Sequence, residues 1–299
     1  MVSATARLIA LDWGSTRLRA FLLGRDGQVL AQRQSGHGAS TLSGEAAFAQ
    51  AFRSVVAGWP DLPVLACGMV GSQHGWREAP YAPCPADAAA LARHALQLGD
   101  HFWIVPGLMS DDGQPDVMRG EETQIVGALA QCPELVERSC LVLPGTHAKW
   151  ARIQGGQVTA FATHMTGELY ALLRQHSVLS RLMPADDSPA PSREAFLAGV
   201  DAAREGGALA HRLFAVRTLG LFERLAPEQL PDYLSGLLIG HEMAHELAAR
   251  APGPLALIGD PLLCQRYALA LGRFGVTAPL QLDNTAPAGL WRLAQGMGI

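Results

Sequence analysis

A strand, a glycine turn, a strand, a second glycine turn and a third strand occur in that order twice in this chain. The first copy is LIALDWGSTRLRAFLLGRDGQVLAQ, residues 8–32, and the second is CLVLPGTHAKWARIQGGQVTAFA, residues 140–162. Gly14-Ser15-Thr16 of the first aligns with Gly145-Thr146 of the second, and Gly27-Gln28-Val29 aligns with Gly156-Gln157-Val158. Self-similarity at this spacing indicates an internal duplication, so the chain must fold as two related halves, each opening on a β-meander.

The segments after each meander set the fold class. Residues 44–57 carry apolar side chains at helical spacing, and PVLACGMVGS and HFWIVPG read as buried strands. GEETQIVGALAQ, residues 120–131, reads as a helix with an acidic first turn. Beyond Thr166 the pattern is mostly helical, interrupted by MPADDSPAPS and followed by long helices near 206–225 and 228–250. LALIGD then reads as a strand, PLLCQRYALALGRF as a helix, VTAPLQL as a strand and AGLWRLAQGM as a last helix. Strands alternating with helices place the chain in the α/β class.

Composition removes several functions. With 17% charged residues and a net charge of −4, the chain has no basic patch for nucleic acid. The opening apolar run is interrupted by Asp12, which argues against a signal peptide or a membrane span. The five cysteines are scattered without C-x-x-C spacing, as expected of reduced thiols in a cytoplasmic protein. Nothing in the sequence demands or excludes a homo-oligomer.

Among 23 basic side chains the single lysine is Lys149, just past the Gly145-Thr146-His147 turn. Arginine serves equally well as a solvated charge, whereas a compact ammonium fits better against a small anion. A glycine turn between strands also brings backbone N–H groups toward phosphate oxygens, and Ser15 and Thr16 add hydroxyls. Two such turns in duplicated positions suggest two loops facing one phosphate chain. Asp12, at the end of the first strand, suits Mg²⁺ held through its water shell.

LDWGST, PGTHAKW and LIGD, in this order, resemble the two phosphate loops and the adenosine loop of the actin, heat-shock chaperone and sugar-kinase superfamily. More specifically, GMVGSQHGW, MRGEETQI, LPGTHAKW, HMTGELYALL, SGLLIGHE and IGDPLLCQRYALAL resemble the 2-dehydro-3-deoxygalactonokinase family over nearly the whole chain. The resemblance implies duplicated actin-like (ribonuclease H-like) α/β domains with an interdomain cleft. It divides the chain into 1–118 on the sugar-acid side and 119–299 on the nucleotide side, the last helix packing back on the first domain. ATP with Mg²⁺ would bind through Asp12, Gly14, Ser15, Thr16, Gly145, Thr146, Lys149 and Gly259. A small sugar acid would be phosphorylated on its terminal hydroxyl, far from the carboxylate.

The same resemblance assigns the acceptor site. Ser72 and Trp76 would line it, and Arg119 would take the carboxylate, whose shape matches a planar guanidinium. Thr166 and Glu168 would reach sugar hydroxyls, although Thr-x-Glu is also ordinary helix-capping chemistry. Phosphoryl transfer needs a carboxylate to orient or deprotonate the attacking hydroxyl. Glu121 is expected in that role by analogy with the first glutamate of Gly-Glu-Glu in relatives, with Glu122 the alternative. Acidic residues at a helix N-terminus also have a purely electrostatic explanation.

One motif points elsewhere. His241-Glu242-Met243-Ala244-His245 matches H-E-x-x-H, which on a helix presents two imidazoles for zinc. A catalytic zinc needs a third protein ligand, and no histidine or glutamate follows Glu246. In the kinase reading Glu242 would approach the ribose. Three alternatives therefore stand beside the leading one: a kinase for another sugar or sugar acid, a zinc peptidase, and an ATP-binding module without catalysis.

Overall fold

The computed structural model describes residues 5–111, 113–184, 191–249 and 253–299. Most of the MPADDSPAPS segment lies outside them. The first meander comprises β1 (Ala6–Trp13), β2 (Leu18–Gly24) and β3 (Val29–Ser35), followed by α1 (Glu45–Val55) and β4 (Val64–Gly68). Next come β5 (Tyr81–Pro83), α2 (Ala88–Arg93), β6 (Leu96–Gly99), β7 (Phe102–Ile104), β8 (Gly107–Asp111), β9 (Pro115–Met118) and α3 (Glu121–Gln131). The second meander is β10 (Arg138–Leu143), β11 (Ala148–Gln154) and β12 (Gln157–His164). It leads to α4 (Thr166–His176), α5 (Arg193–Arg204), α6 (Leu209–Leu221), α7 (Leu230–Ala249), β13 (Leu255–Ile258), α8 (Pro261–Arg273), β14 (Leu280–Leu282) and α9 (Ala286–Met297).

Sheet topology bears out the duplication. The first sheet runs β3-β2-β1-β4-β7-β6 and the second β12-β11-β10-β13-β14. Each sets its meander in reverse order and then adds later strands beyond the meander's first. In the first sheet β1, β4 and β7 are parallel, while β2, β3 and β6 pair antiparallel with their neighbours. The inner strands are apolar along their length because both faces are covered: every residue of β4 is buried, as is all of β1 except Arg7. β3 at the edge is largely exposed. Both second-turn glycines are left-handed, with φ +72° at Gly27 and +76° at Gly156, a conformation that costs glycine little.

Two compact units emerge. One holds 1–141, 151–162 and 282–299, and the other 142–150 and 163–281. In the first, Trp13, Phe48 and Leu18 anchor the core. There α3 and α9 cross with backbones nearly touching: a Cβ on Gly127 would lie 2.0 Å from the Thr285 carbonyl oxygen, and one on Gly289 1.9 Å from that of Thr123. In the second, α4 to α7 pack around Leu234, Leu237 and Val216. A small third sheet, β5-β8-β9, lies in the first unit. No helix among the described residues is long and apolar enough to cross a membrane.

Candidate functional site

In the first unit, β1, β4 and α3 bring their ends together. Asp12 pairs in register with Arg19 on β2 and Cys67 on β4. A Cβ on Gly68 would meet the Trp13 carbonyl at 2.7 Å, and one on Gly120 would lie 3.2 Å from Gly68 Cα. Glycine at both positions therefore lets the start of α3 sit against the strand ends. Asp12 is 8% exposed, and its Oδ2 accepts from Arg19 Nη1 at 2.9 Å and from Asn284 Nδ2 at 3.1 Å. Both contacts fall on one oxygen, which leaves Oδ1 for a water of a bound cation. The residues present thus fit an Mg²⁺ held in the outer sphere.

The Gly14 turn is closed by Gly14 N–H donating to the Arg17 carbonyl at 3.0 Å. It is braced by the segment at 38–40, where Ala39 and Ser40 N–H groups donate to the Gly14 and Ser15 carbonyls. Ser15 and Thr16 remain exposed. Neither Gly14 nor Gly145 has a positive φ, and a Cβ on Gly145 would meet nothing within 4 Å. The fold does not require glycine at Gly145, so its missing side chain leaves open space, as a phosphate-facing turn needs.

The two glutamates of α3 divide as the register dictates. Glu122 turns inward, 1% exposed, and accepts from Gly120 N–H at 2.6 Å and Thr123 Oγ1 at 2.9 Å. Burial first, and the Glu121 charge second, push its carboxyl from 4.5 up to about 7. Burial, followed by the Asp12 charge, likewise raises the Cys67 thiol. Glu121 is half-buried and accepts from Arg119 N–H at 3.1 Å.

Of the acceptor residues, Ser72 turns back to donate to the Met69 carbonyl at 2.8 Å. Trp76 directs its ring into an aromatic cluster, 5.2 Å from Phe102 and 6.0 Å from Trp13. Arg119 is 9% exposed, lies 4.3 Å over the Tyr81 ring and donates from Nη2 to the Ala79 carbonyl at 2.8 Å. Its Nε and Nη1 are buried without an acceptor among the described residues.

In the second unit a cavity of about 490 Å³ opens beside the Gly145-Thr146 turn. Its polar edge includes Thr146, Thr166, Ser235 and Asp260; its apolar wall includes Leu238, Ile239 and Leu263. Ser235 is the one residue between Leu230 and Gly240 that is not buried, because it faces this space. Arg266 closes one side, held by Asp232 Oδ1 at 2.7 Å and stacked 4.6 Å over Phe196. Gly259, at φ +139°, turns the chain from β13 into Asp260, which caps α8 by accepting from Leu263 N–H at 3.0 Å. Thr166 lines this cavity. Glu168 is also at the turn: its N–H donates to the Thr146 carbonyl at 3.0 Å and its carboxylate pairs with His147 at 2.5 Å. Lys149 is 5% exposed and donates from Nζ to Thr163 Oγ1 at 2.8 Å.

The H-E-x-x-H helix has a different use for its glutamate. Glu242 is 4% exposed, does not line the cavity, and is held by Trp150, Thr166 and Tyr267. Among the described residues no group of three His, Cys, Asp or Glu side chains is placed to hold a metal.

The sequence pattern of the 2-keto-3-deoxy-galactonokinase family matches residues 12–293. The chain is 38% identical over 299 residues to the 2-dehydro-3-deoxygalactonokinase of Escherichia coli (strain K12), covering 98% of this chain and 99% of that one. A crystal structure from Sinorhizobium meliloti, assigned as a 2-dehydro-3-deoxygalactonokinase protein, superposes with a TM-score of 0.87 at 36% identity, covering 97% and 99%. Component A of the Acidaminococcus fermentans (R)-2-hydroxyglutaryl-CoA dehydratase shares the fold alone, at a TM-score of 0.53 and 13% identity over 98% of this chain and 99% of that one.

Proposed function

The chain belongs to the 2-keto-3-deoxy-galactonokinase family, and on that footing we propose that it transfers the γ-phosphoryl group of ATP to the terminal hydroxyl of 2-dehydro-3-deoxygalactonate. The structural observation that carries the reading is the cavity at the Gly145-Thr146 turn, closed by Asp260 and Tyr267, with space left by a glycine that the backbone does not need. In this reading the nucleotide occupies that cavity. Gly145 and Thr146 face its phosphates, and Lys149 supplies the compact ammonium for the phosphate chain. Gly14, Ser15 and Thr16 form the second phosphate loop. Mg²⁺, held through water by Asp12, would neutralise phosphate charge.

Glu121 orients the acceptor hydroxyl and takes its proton late in transfer. Its more exposed position supports this role, whereas Glu122 spends its oxygens on Gly120 and Thr123. Arg119 is the receptor for the substrate carboxylate, supported by its two donors without acceptors. Both donors are buried, and Gly71 lies beside them, where a Cβ would come 3.0 Å from Nη1. Five free thiols are in keeping with a reducing, cytoplasmic location.

Mass and phosphorus NMR analysis of the product tests the proposal. A phosphomonoester on the terminal carbon of the sugar acid is expected. Phosphate on another hydroxyl, or faster turnover of a different sugar acid, favours the broader sugar-acid kinase. Stoichiometric zinc lost on His245→Ala would instead support a peptidase.

A further inference from the structure

Glu242 accepts from Trp150 Nε1 on β11 at 2.6 Å, from Thr166 Oγ1 on α4, and from Tyr267 Oη on α8 at 2.9 Å. These donors come from three separate elements, and Thr166 and Tyr267 line the cavity while Glu242 does not. Thr166 is the first residue of α4, whose start is pressed against the glycine turn. A Cβ on Gly167 would fall 2.5 Å from the Gly145 carbonyl oxygen and 2.8 Å from Thr146 Cα. The Glu168 N–H bond to the Thr146 carbonyl completes that seam. Displacing Thr166 therefore shifts the turn, and displacing Tyr267 shifts the opposite wall.

We infer that Glu242 is a positioning residue for the nucleotide cavity, fixing the glycine turn through Thr166 and the α8 wall through Tyr267. The inference rests on the nucleotide reading of that cavity. It also accounts for the glutamate of the H-E-x-x-H sequence without a metal. A carboxylate suits this place because both of its oxygens accept, whereas a glutamine keeps one acceptor for Trp150 and its amide N–H groups force the Thr166 and Tyr267 hydroxyls to turn and accept instead of donate. Removing an acceptor shared by buried donors costs far more than an average surface hydrogen bond.

The test combines Glu242→Gln, Tyr267→Phe and the double variant, with Kd for a fluorescent ADP analogue and KM for ATP and for the sugar acid measured separately. Glu242→Gln should raise Kd and the KM for ATP about tenfold while leaving the KM for the sugar acid near wild type. Tyr267→Phe should raise both nucleotide constants by a smaller factor. The double variant should be weaker than Glu242→Gln by less than the Tyr267→Phe factor alone, because the two act through one bond. If Glu242→Gln does not fold, Tyr267→Phe and Thr166→Val carry the same KM comparison. Wild-type nucleotide affinity in folded variants, or equal rises in both KM values, overturns the inference. Failure of the wild-type protein to bind the analogue overturns the nucleotide reading itself.

Discussion

Replacing Glu122 with glutamine tests whether the α3 glutamates divide as the structure places them. Glu122 is 1% exposed and its carboxyl is raised from 4.5 to about 7, by burial first and the Glu121 charge second. Folding therefore favours the protonated form. The associated stability is fully present below the unfolded value and is lost as pH rises through the folded one. At about 1.36 kcal/mol per pKa unit, the loss integrated from pH 5 to pH 8 is on the order of 2–3 kcal/mol. Glu122→Gln has no such titration, and its amide oxygen can still accept from Gly120 N–H. Urea unfolding of both proteins at pH 5 and pH 8 reads the effect directly. The variant should gain on the order of 2–3 kcal/mol on wild type between the two conditions, whatever its offset at pH 5. A difference that stays constant to within about 0.5 kcal/mol would refute the reasoning, because the carboxyl would then titrate alike in both states. Glu121→Gln should shift the same transition to lower pH by removing the neighbouring charge.

The remaining expectations concern turnover. Glu121→Gln should lower kcat by ~10²–10⁴-fold with ATP affinity nearly unchanged, and Glu122→Gln much less; steady-state kinetics with both substrates varied checks this. Should the two effects reverse, Glu122 is the base. Lys149→Met should strongly reduce turnover and Lys149→Arg should rescue it poorly, since a guanidinium is larger than the ammonium seated against Thr163; full activity in the arginine variant would discard the argument from compactness. Asp12→Asn should raise the Mg²⁺ concentration needed for half-maximal activity, and a wild-type requirement would leave Asp12 as the partner of Arg19 and Asn284 alone.

Much of the fold was legible because the duplication is written in turn chemistry. Gly27 and Gly156 mark left-handed positions that punctuate both meanders, and the apolar runs of β1, β4, β10 and β13 reflect strands buried on both faces. The β5-β8-β9 sheet was missed because Tyr81–Pro83 is three residues long and proline-bounded, giving no period to read. VTAPLQL shrank to β14, Leu280–Leu282, since its first residues are needed for the turn out of α8. Of the candidate positions, the glycine turns were read from their residues and Gly259 from the family resemblance of LIGD. Trp76 and Thr166 did not announce their surroundings, because an aromatic ring or a hydroxyl has the same letter in a core and at a ligand. Ser235 and Arg266 were overlooked, the first hidden in the apolar stretch of α7. The role of Glu242 was illegible for a plainer reason: its donors lie 92, 76 and 25 residues away.

Coupled measurement of ADP release, with ATP and Mg²⁺ present and the sugar acid added or withheld, tests the central claim most directly. The account predicts ADP formation that depends on 2-dehydro-3-deoxygalactonate and matches the phosphorylated sugar acid one for one. It is contradicted if ATP is consumed at the same rate without the acceptor, or if nucleotide binds in the cavity and no sugar acid draws turnover from it.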